Sequence, residues 1–302
     1  MLRSHDTNGR GAPALVCHTA LYSGDHPRNS LAGVAECIER GVSRIEIDIH
    51  SLDGADYAIY HERRLEAETT ARGPIGSASA DDVRGARFSA HPDERLPLLS
   101  EVIDMARDRD VELQLDLKDW RLMPDDRIDV LARIAAPMLG RVVVSTGQDW
   151  NLLRLYQRHP EVPIGFDPGL YFDHAIEGTE IYLPRNMGAY GYRDDNPLAF
   201  GRTEAVGDYL RQRFEMLALQ VPAAREYFLS YRLVLQMLDD GFDVAAWLHD
   251  RGIAANVWTL DYRNDDSLRV LESLRAIGID RITTNTAPAW ESALAATARA
   301  AV

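Results

Sequence analysis

Cysteine, long apolar runs and positive charge are what this sequence has least of, and each shortage narrows its function. Only Cys17 and Cys37 are present, too few for a disulfide framework, so a soluble cytoplasmic protein is expected. No apolar run approaches the roughly twenty residues that a spanning helix needs. The opening MLRSHDTNGRGAP is polar and broken by glycines, without the apolar centre of a signal peptide. Lysine and arginine total 33 against 47 acidic residues, a net charge of -14. Such a surface repels nucleic-acid phosphates and anionic lipid headgroups, so neither is an expected partner. An anionic substrate would need local help from a metal ion or a few placed cations. What is abundant is core-forming material: 46% of the 302 residues are hydrophobic, enough to bury a sizeable interior.

Strand-like runs alternate with segments of helical period along the chain, the pattern of βα units around a parallel sheet. Eight runs stand out: 14–20, 44–52, 111–119, 141–147, 162–168, 226–231, 254–260 and 280–286. Helices are predicted at 30–40, 97–110, 125–139, 148–158, 203–221, 239–251 and 265–277, with Ser30, Gly252 and Asp265 as boundary signals. Eight such units fit an α/β fold of the (β/α)8 TIM-barrel type better than an open sheet. No low-complexity linker divides the chain, so residues 1–302 are expected to form a single domain. Two connections, 53–96 and 169–202, are too long for simple βα loops and are expected as loops over the C-terminal face of the barrel.

The stretch RIEIDIHSLDGADYAIYH, residues 44–61, puts Glu46 and Asp48 on one face of a strand and Ile45, Ile47 and Ile49 on the other. With the isoleucines packed under helices, the acids point into the barrel, where they repel one another unless a positive charge intervenes. A divalent cation is the simplest remedy, and oxygen-only ligands select Mg²⁺ or Ca²⁺. The run VELQLDLKD repeats the geometry: Gln114, Asp116 and Lys118 share a face, which makes Asp116 the third candidate ligand and Lys118 a counter-charge or an anchor for an anionic oxygen. A purely structural ion-pair cluster is the alternative. His18 and His61 end strand-like runs and are expected at the same mouth. A cation, a group to activate an attacking oxygen and a group to protonate a leaving oxygen are what phosphoryl transfer requires.

These motifs, in this order, resemble the glycerophosphodiester phosphodiesterase family of TIM barrels. CHTALYSGDHPRNSLAGVAECIERGVSRIEIDIHSLDGADYAIYHERRL is similar to the family's opening: a strand-end histidine, a P-E-N-T-like segment, an E-x-D strand, a D-G turn and a second histidine. LPLLSEVIDMARDRDVELQLDLK, NVWTLD and GIDRITTNTAP resemble its acidic strand, its W-T-V-N strand and its G-V-D-G-I-I-T-D-x-P ending. The resemblance implies His18 and His61 as the acid and base pair, Glu46, Asp48 and Asp116 as metal ligands, and Trp258 as a wall of the pocket, with a core tryptophan as the alternative. The implied reaction is hydrolysis of a glycerol phosphodiester, a small-molecule substrate, with first attack by water or by a neighbouring substrate hydroxyl. Release of a cyclic phosphate, as in barrels of the sphingomyelinase D type, and a silent phosphate-binding barrel are the competing readings.

The chain departs from the family at several places. Thr19 stands where the family has arginine, Arg28 where it has glutamate, and Asp116 where it has glutamate. The arginine expected after the second histidine is displaced by Glu66, Ala67 and Glu68 before Thr69. Arg28 is expected either to supply the phosphate-binding charge lost at position 19 or to lie solvated in a loop. Tyr171, Tyr182, Tyr190 and Tyr192 are candidates to contact a sugar or polyol, and Arg185, Arg193 and Arg232 are spare cations. Together these changes predict phosphodiester chemistry on an unusual substrate.

Overall fold

Apolar runs rich in Val, Ile and Leu become eight parallel strands because both of their faces find cover: helices outside, a packed interior inside. The computed structural model describes residues 12–172 and 204–300. Through the first half run β1 (Ala14–Cys17), α1 (Leu31–Glu39), β2 (Arg44–Ser51), β3 (Tyr57–Ile59), α2 (Ala80–Gly85), α3 (Leu99–Ala106), β4 (Glu112–Leu117), α4 (Asp125–Ala135), β5 (Val142–Thr146), α5 (Asp149–Arg158) and β6 (Ile164–Phe166). The second described stretch holds α6 (Val206–Gln220), β7 (Ala224–Ser230), α7 (Tyr231–Asp239), α8 (Val244–His249), β8 (Ala254–Trp258), α9 (Asp265–Ile277), β9 (Arg281–Thr284) and α10 (Ala287–Ala300). The strand order β1-β9-β8-β7-β6-β5-β4-β2 closes through a parallel β1–β2 pairing, which makes a (β/α)8 barrel. All eight predicted strand runs are found, each ending earlier than predicted, and the run 226–231 begins two residues sooner, at Ala224.

The helices follow their local signals more loosely. Ser30 caps α1, its hydroxyl accepting the Gly33 N–H at 3.0 Å. Asn264, not Asp265, caps α9, which ends at the left-handed Gly278. The helix predicted over 239–251 is α8 alone, and α7 before it was not predicted: Ser230 passes straight from strand to helix, and Gly241 (φ 87) separates α7 from α8. The segment 53–96 is not a bare loop. It supplies β3, antiparallel to the C-terminal end of β2, and α2, over a satellite core of Leu52, Tyr60, Leu65, Val83, Phe88 and Leu98 among others. The segment 169–202 lies outside the described residues beyond its first turn, and with it Tyr182, Tyr190, Tyr192, Arg185 and Arg193. Among the described residues no helix is long and apolar enough to cross a membrane.

Candidate active site

Strand alternation and register build the site. Ile45, Ile47 and Ile49 belong to the main core beneath the helices, leaving Glu46 and Asp48 on the inner face. Parallel pairing of β2 with β4 sets Glu46 beside Gln114 and Asp48 beside Asp116, and pairing of β4 with β5 sets Asp116 beside Ser145. One oxygen from each of Glu46, Asp48 and Asp116 lies within 4.8 Å of the others. Glu46 is 2% and Asp48 0% exposed, so water does little to separate their charges.

Lys118, one pleat beyond Asp116, is the counter-charge that the protein provides. Its Nζ lies 2.9 Å from Asp48 Oδ1 and 2.5 Å from Asp116 Oδ2. Burial disfavours its charge, but the three carboxylates more than reverse that and hold its pKa well above the usual lysine range. Burial likewise opposes ionisation of Asp48, yet Lys118, His61 and Asn29 keep its pKa below the ordinary carboxylate value. Glu46 gains least. Burial, then the charges of Asp48 and Asp116, push its pKa well above the ordinary value despite Lys118 and a hydrogen bond from Thr19.

One ammonium among three carboxylates leaves negative charge in excess. Asp48 Oδ1, although close to Lys118, is buried without a well-directed hydrogen bond. A donor set made only of carboxylate oxygens, crowded, largely buried and undercompensated, fits a hard divalent cation.

The turn after β1 clamps this cluster. Thr19, Ala20 and Asn29 all have positive φ (52°, 53° and 59°), unusual for residues with a Cβ and costly for a branched threonine. That backbone turns the Thr19 N–H onto Glu46 Oε2 at 2.7 Å. Asn29 donates its Nδ2 to Asp48 Oδ2 at 2.7 Å and accepts the Asp48 N–H at 3.1 Å. Gly33 permits the close fit, since a Cβ there would sit 2.6 Å from the Ala20 carbonyl oxygen. The Thr19 hydroxyl bonds the His18 carbonyl at 2.8 Å, so the side chain does not replace the arginine expected from the resemblance.

Above the cluster opens a cavity of about 280 Å³ lined by His18, Glu46, Gln114, Asp116, Lys118, Ser145, Asp167, Phe228, Trp258, Thr259 and Thr283. His18, at the end of β1, has Nε2 3.7 Å from Glu46 Oε2 and Nδ1 2.6 Å from Asn285 Oδ1. His61 follows β3 and donates Nδ1–H to Glu62 Oε1 at 2.8 Å; it stands close enough to Asp48 to favour that carboxylate's charge, but does not line the cavity itself. Trp258 is a wall of the cavity, with its indole Nε1 buried and unpaired.

Arg28 does not reach the cavity. Its Nε donates to Glu68 Oε1 at 2.8 Å and its terminal nitrogen to Glu62 Oε1 at 2.9 Å, so the expectation of a free phosphate-binding charge is corrected to a paired one. Arg28 is thus held between Glu62 and Glu68. Tyr171 is spent on packing, edge-on to Phe166 and bonded to Asp149 at 2.7 Å. Arg232 stacks over Tyr231 and is not among the residues lining the cavity.

Sequence reasoning passed over several neighbours of the site. Asn29 sits inside the P-E-N-T-like segment that was recognised only as a pattern. Gln114 shares a face with Asp116, and its Oε1 is buried and unpaired. Asp167 lines the far wall; burial raises its pKa to about 7, with Asp116 adding to the effect and the Gly169 N–H opposing it. A lone aspartate at a strand end gives no signal of that kind in sequence.

Residues 22–166 match the glycerophosphoryl diester phosphodiesterase family. A glycerophosphodiester phosphodiesterase of Caldanaerobacter subterraneus subsp. tengcongensis is 21% identical over 174 residues, 54% of this chain and 68% of that protein. YqiK of Bacillus subtilis, an uncharacterized protein, is 28% identical over 102 residues, 32% of this chain, and the match spans only 42% of YqiK. The structure of an Oleispira antarctica phosphodiesterase in complex with the product sn-glycerol-3-phosphate shares the fold, with a TM-score of 0.61 at 16% identity over 91% of this chain and 93% of that one. By the match over residues 22–166, the shared barrel and the order of its motifs, the chain is similar to the glycerophosphoryl diester phosphodiesterase family, at low identity to each relative.

Proposed function

We propose that the chain is a divalent-metal-dependent phosphodiester hydrolase acting on a glycerophosphodiester-like or a sugar or polyol phosphodiester. The observation that carries this reading is the trio of buried Glu46 and Asp48 with half-buried Asp116, undercompensated by Lys118 and opening into a cavity beside His18. A divalent cation held by the trio, Mg²⁺ or Ca²⁺ by its donor chemistry, would polarise the phosphoryl oxygens and offset the charge that builds on them. His18 and His61 move the protons, one taking that of the attacking oxygen and the other giving one to the leaving alcohol. Lys118 keeps Asp48 ionised and pairs with Asp116, and Trp258 with Phe228 walls the alcohol moiety. The two thiols, both free and buried, accord with a reducing cytoplasmic setting.

Phosphorus NMR of a glycerophosphodiester and a polyol phosphodiester, incubated with Mg²⁺, with Ca²⁺ or with EDTA, tests the reading. A phosphomonoester that accumulates only with metal is the expected result. A cyclic phosphate that persists would turn the assignment to a lyase, and no turnover with either metal would leave a ligand-binding barrel.

A further inference from the structure

His18 and His61 occupy similar places but are backed by different chemistry. His61 donates Nδ1–H to a carboxylate, Glu62, at 2.8 Å. The Nδ1 of His18 lies 2.6 Å from an amide, Asn285, whose two ends have opposite hydrogen-bonding character. Asp261 decides which end faces the ring. Its Oδ1 accepts the Asn285 backbone N–H at 2.8 Å and its Oδ2 accepts the side-chain Nδ2 at 3.2 Å. The Thr284 hydroxyl also donates to Asp261 Oδ1, at 3.3 Å. An ionised carboxylate only accepts, so the NH₂ end of Asn285 must face Asp261 and its oxygen must face His18. That oxygen in turn demands a proton on Nδ1. The neutral ring then carries its lone pair on Nε2, the nitrogen 3.7 Å from Glu46 in the cavity.

We propose that Asp261 and Asn285 are positioning residues that lock His18 in the Nδ1–H tautomer and present the Nε2 lone pair to the substrate. Two roles follow, both resting on the proposed hydrolase reading. His18, oriented by a neutral amide, takes the proton of the attacking oxygen. His61, whose Nδ1–H is held by the Glu62 carboxylate, gives one to the leaving oxygen. The orientation comes from a chain of three contacts, Asp261 to Asn285 to His18, in which only the last touches the catalytic ring. Position 285 sets the tautomer, and position 261 sets position 285.

Two measurements test this. In the metal-free wild type, ¹⁵N-detected NMR of the histidine rings, with the His18 signals assigned through His18→Gln, should show the neutral ring protonated on Nδ1 and bare on Nε2. Activity is the second measure: Asp261→Asn frees the amide to rotate and should lower kcat by about 10-fold or more while KM stays within about twofold. The permuted variant Asp261→Asn/Asn285→Asp rebuilds a donor against an acceptor and should recover most of that loss. An Nε2–H tautomer in the wild type overturns the proposal whether or not any variant folds. An unchanged kcat in Asp261→Asn overturns it too, as does a folded double variant no faster than the single one. A wild type that hydrolyses no phosphodiester defeats the hydrolase reading instead, and the tautomer measurement still decides this one.

Discussion

The two ends of the barrel use the same strand and opposite charge logic. β2 starts at Arg44, near the N-terminal floor, and reaches Glu46 and Asp48 within two turns of its pleat. On the floor Arg44 lies 2.6 Å from Glu226 and 2.7 Å from Glu112, while Arg281 lies 3.5 Å from Glu112 and 3.7 Å from Glu226. Asn256 adds a hydrogen bond to Glu226 at 3.2 Å. Two cations meet two anions and the account closes inside the protein. At the mouth, Glu46, Asp48, Asp116 and Asp167 share the single ammonium of Lys118. Burial is similar at both ends, so the imbalance marks the end built to receive charge from outside, where barrel sites gather.

Removing a floor cation should cost most. Arg44→Met leaves Glu226 buried with only the longer Arg281 contact and is expected to destabilise the protein by about 3 kcal/mol, read from urea unfolding. A loss below about 1 kcal/mol would mean that the floor charges are not neutralised by one another. At the mouth the sign should reverse. Burial and the neighbouring acids raise the Glu46 pKa, so its ionised form is disfavoured in the metal-free fold. Glu46→Gln should therefore stabilise the metal-free protein by about 2 kcal/mol, abolish turnover and remove the rise in Tm on adding Mg²⁺ or Ca²⁺. A metal-dependent Tm that survives in this variant would take Glu46 out of the ligand set.

How much of this contrast the sequence carried depends on the range of each interaction. Strands of period two reveal which face a residue takes, so the eight strands and the inward pair Glu46 and Asp48 were legible, and the register that adds Asp116 followed from repeating the pattern on β4. Partnerships across loops were not. Arg28 and Glu68 are 40 residues apart; Arg28 read alone as a phosphate-binding or a solvated cation, and only the fold shows it paired with Glu68. Asn285, just after β9, reaches His18, and Asp261, in the turn after β8, reaches Asn285; both lie in segments that read only as motifs, which do not show that the two meet. The junction of β7 with α7 was missed because turn residues, the usual boundary mark, are absent where a strand passes straight into a helix.

Asp167 sharpens the comparison through pH. Its folded pKa of about 7 stands above the ordinary 3.8, so between those values the folded state holds a proton that the unfolded chain has released. Stability present below the ordinary value is therefore lost as pH rises toward 7. In EDTA-treated protein, Asp167→Asn should gain about 1 kcal/mol relative to wild type between pH 4 and pH 8, allowing for solvent at the rim. Equal gaps at the two pH values would show that Asp167 ionises freely and adds no strain to the mouth.

The smallest effect belongs to a pair outside the floor cluster, where charge is again matched. His249 Nε2 lies 2.9 Å from Asp280 Oδ2, which also accepts the Ala255 N–H at 2.8 Å at the start of β8. The hydrogen bond to Asp280 raises the His249 pKa, with burial opposing it. A base whose folded pKa is raised adds stability that is complete below its unfolded value, near 6.5, and disappears as pH climbs through the folded value. The His249 side chain is 33% exposed, so solvent limits the gain to about 0.5 kcal/mol. His249→Asn should thus lower Tm at about pH 5.5 and much less at about pH 8.5; both sites lose stability as pH rises, but His249→Asn removes a favourable contact at low pH whereas Asp167→Asn removes a strain at high pH. A His249→Asn variant that is no less stable than wild type at about pH 5.5, or an Asp167→Asn variant that is less stable than wild type at about pH 8, would contradict the division into a matched pair that stabilises and an unmatched mouth that strains.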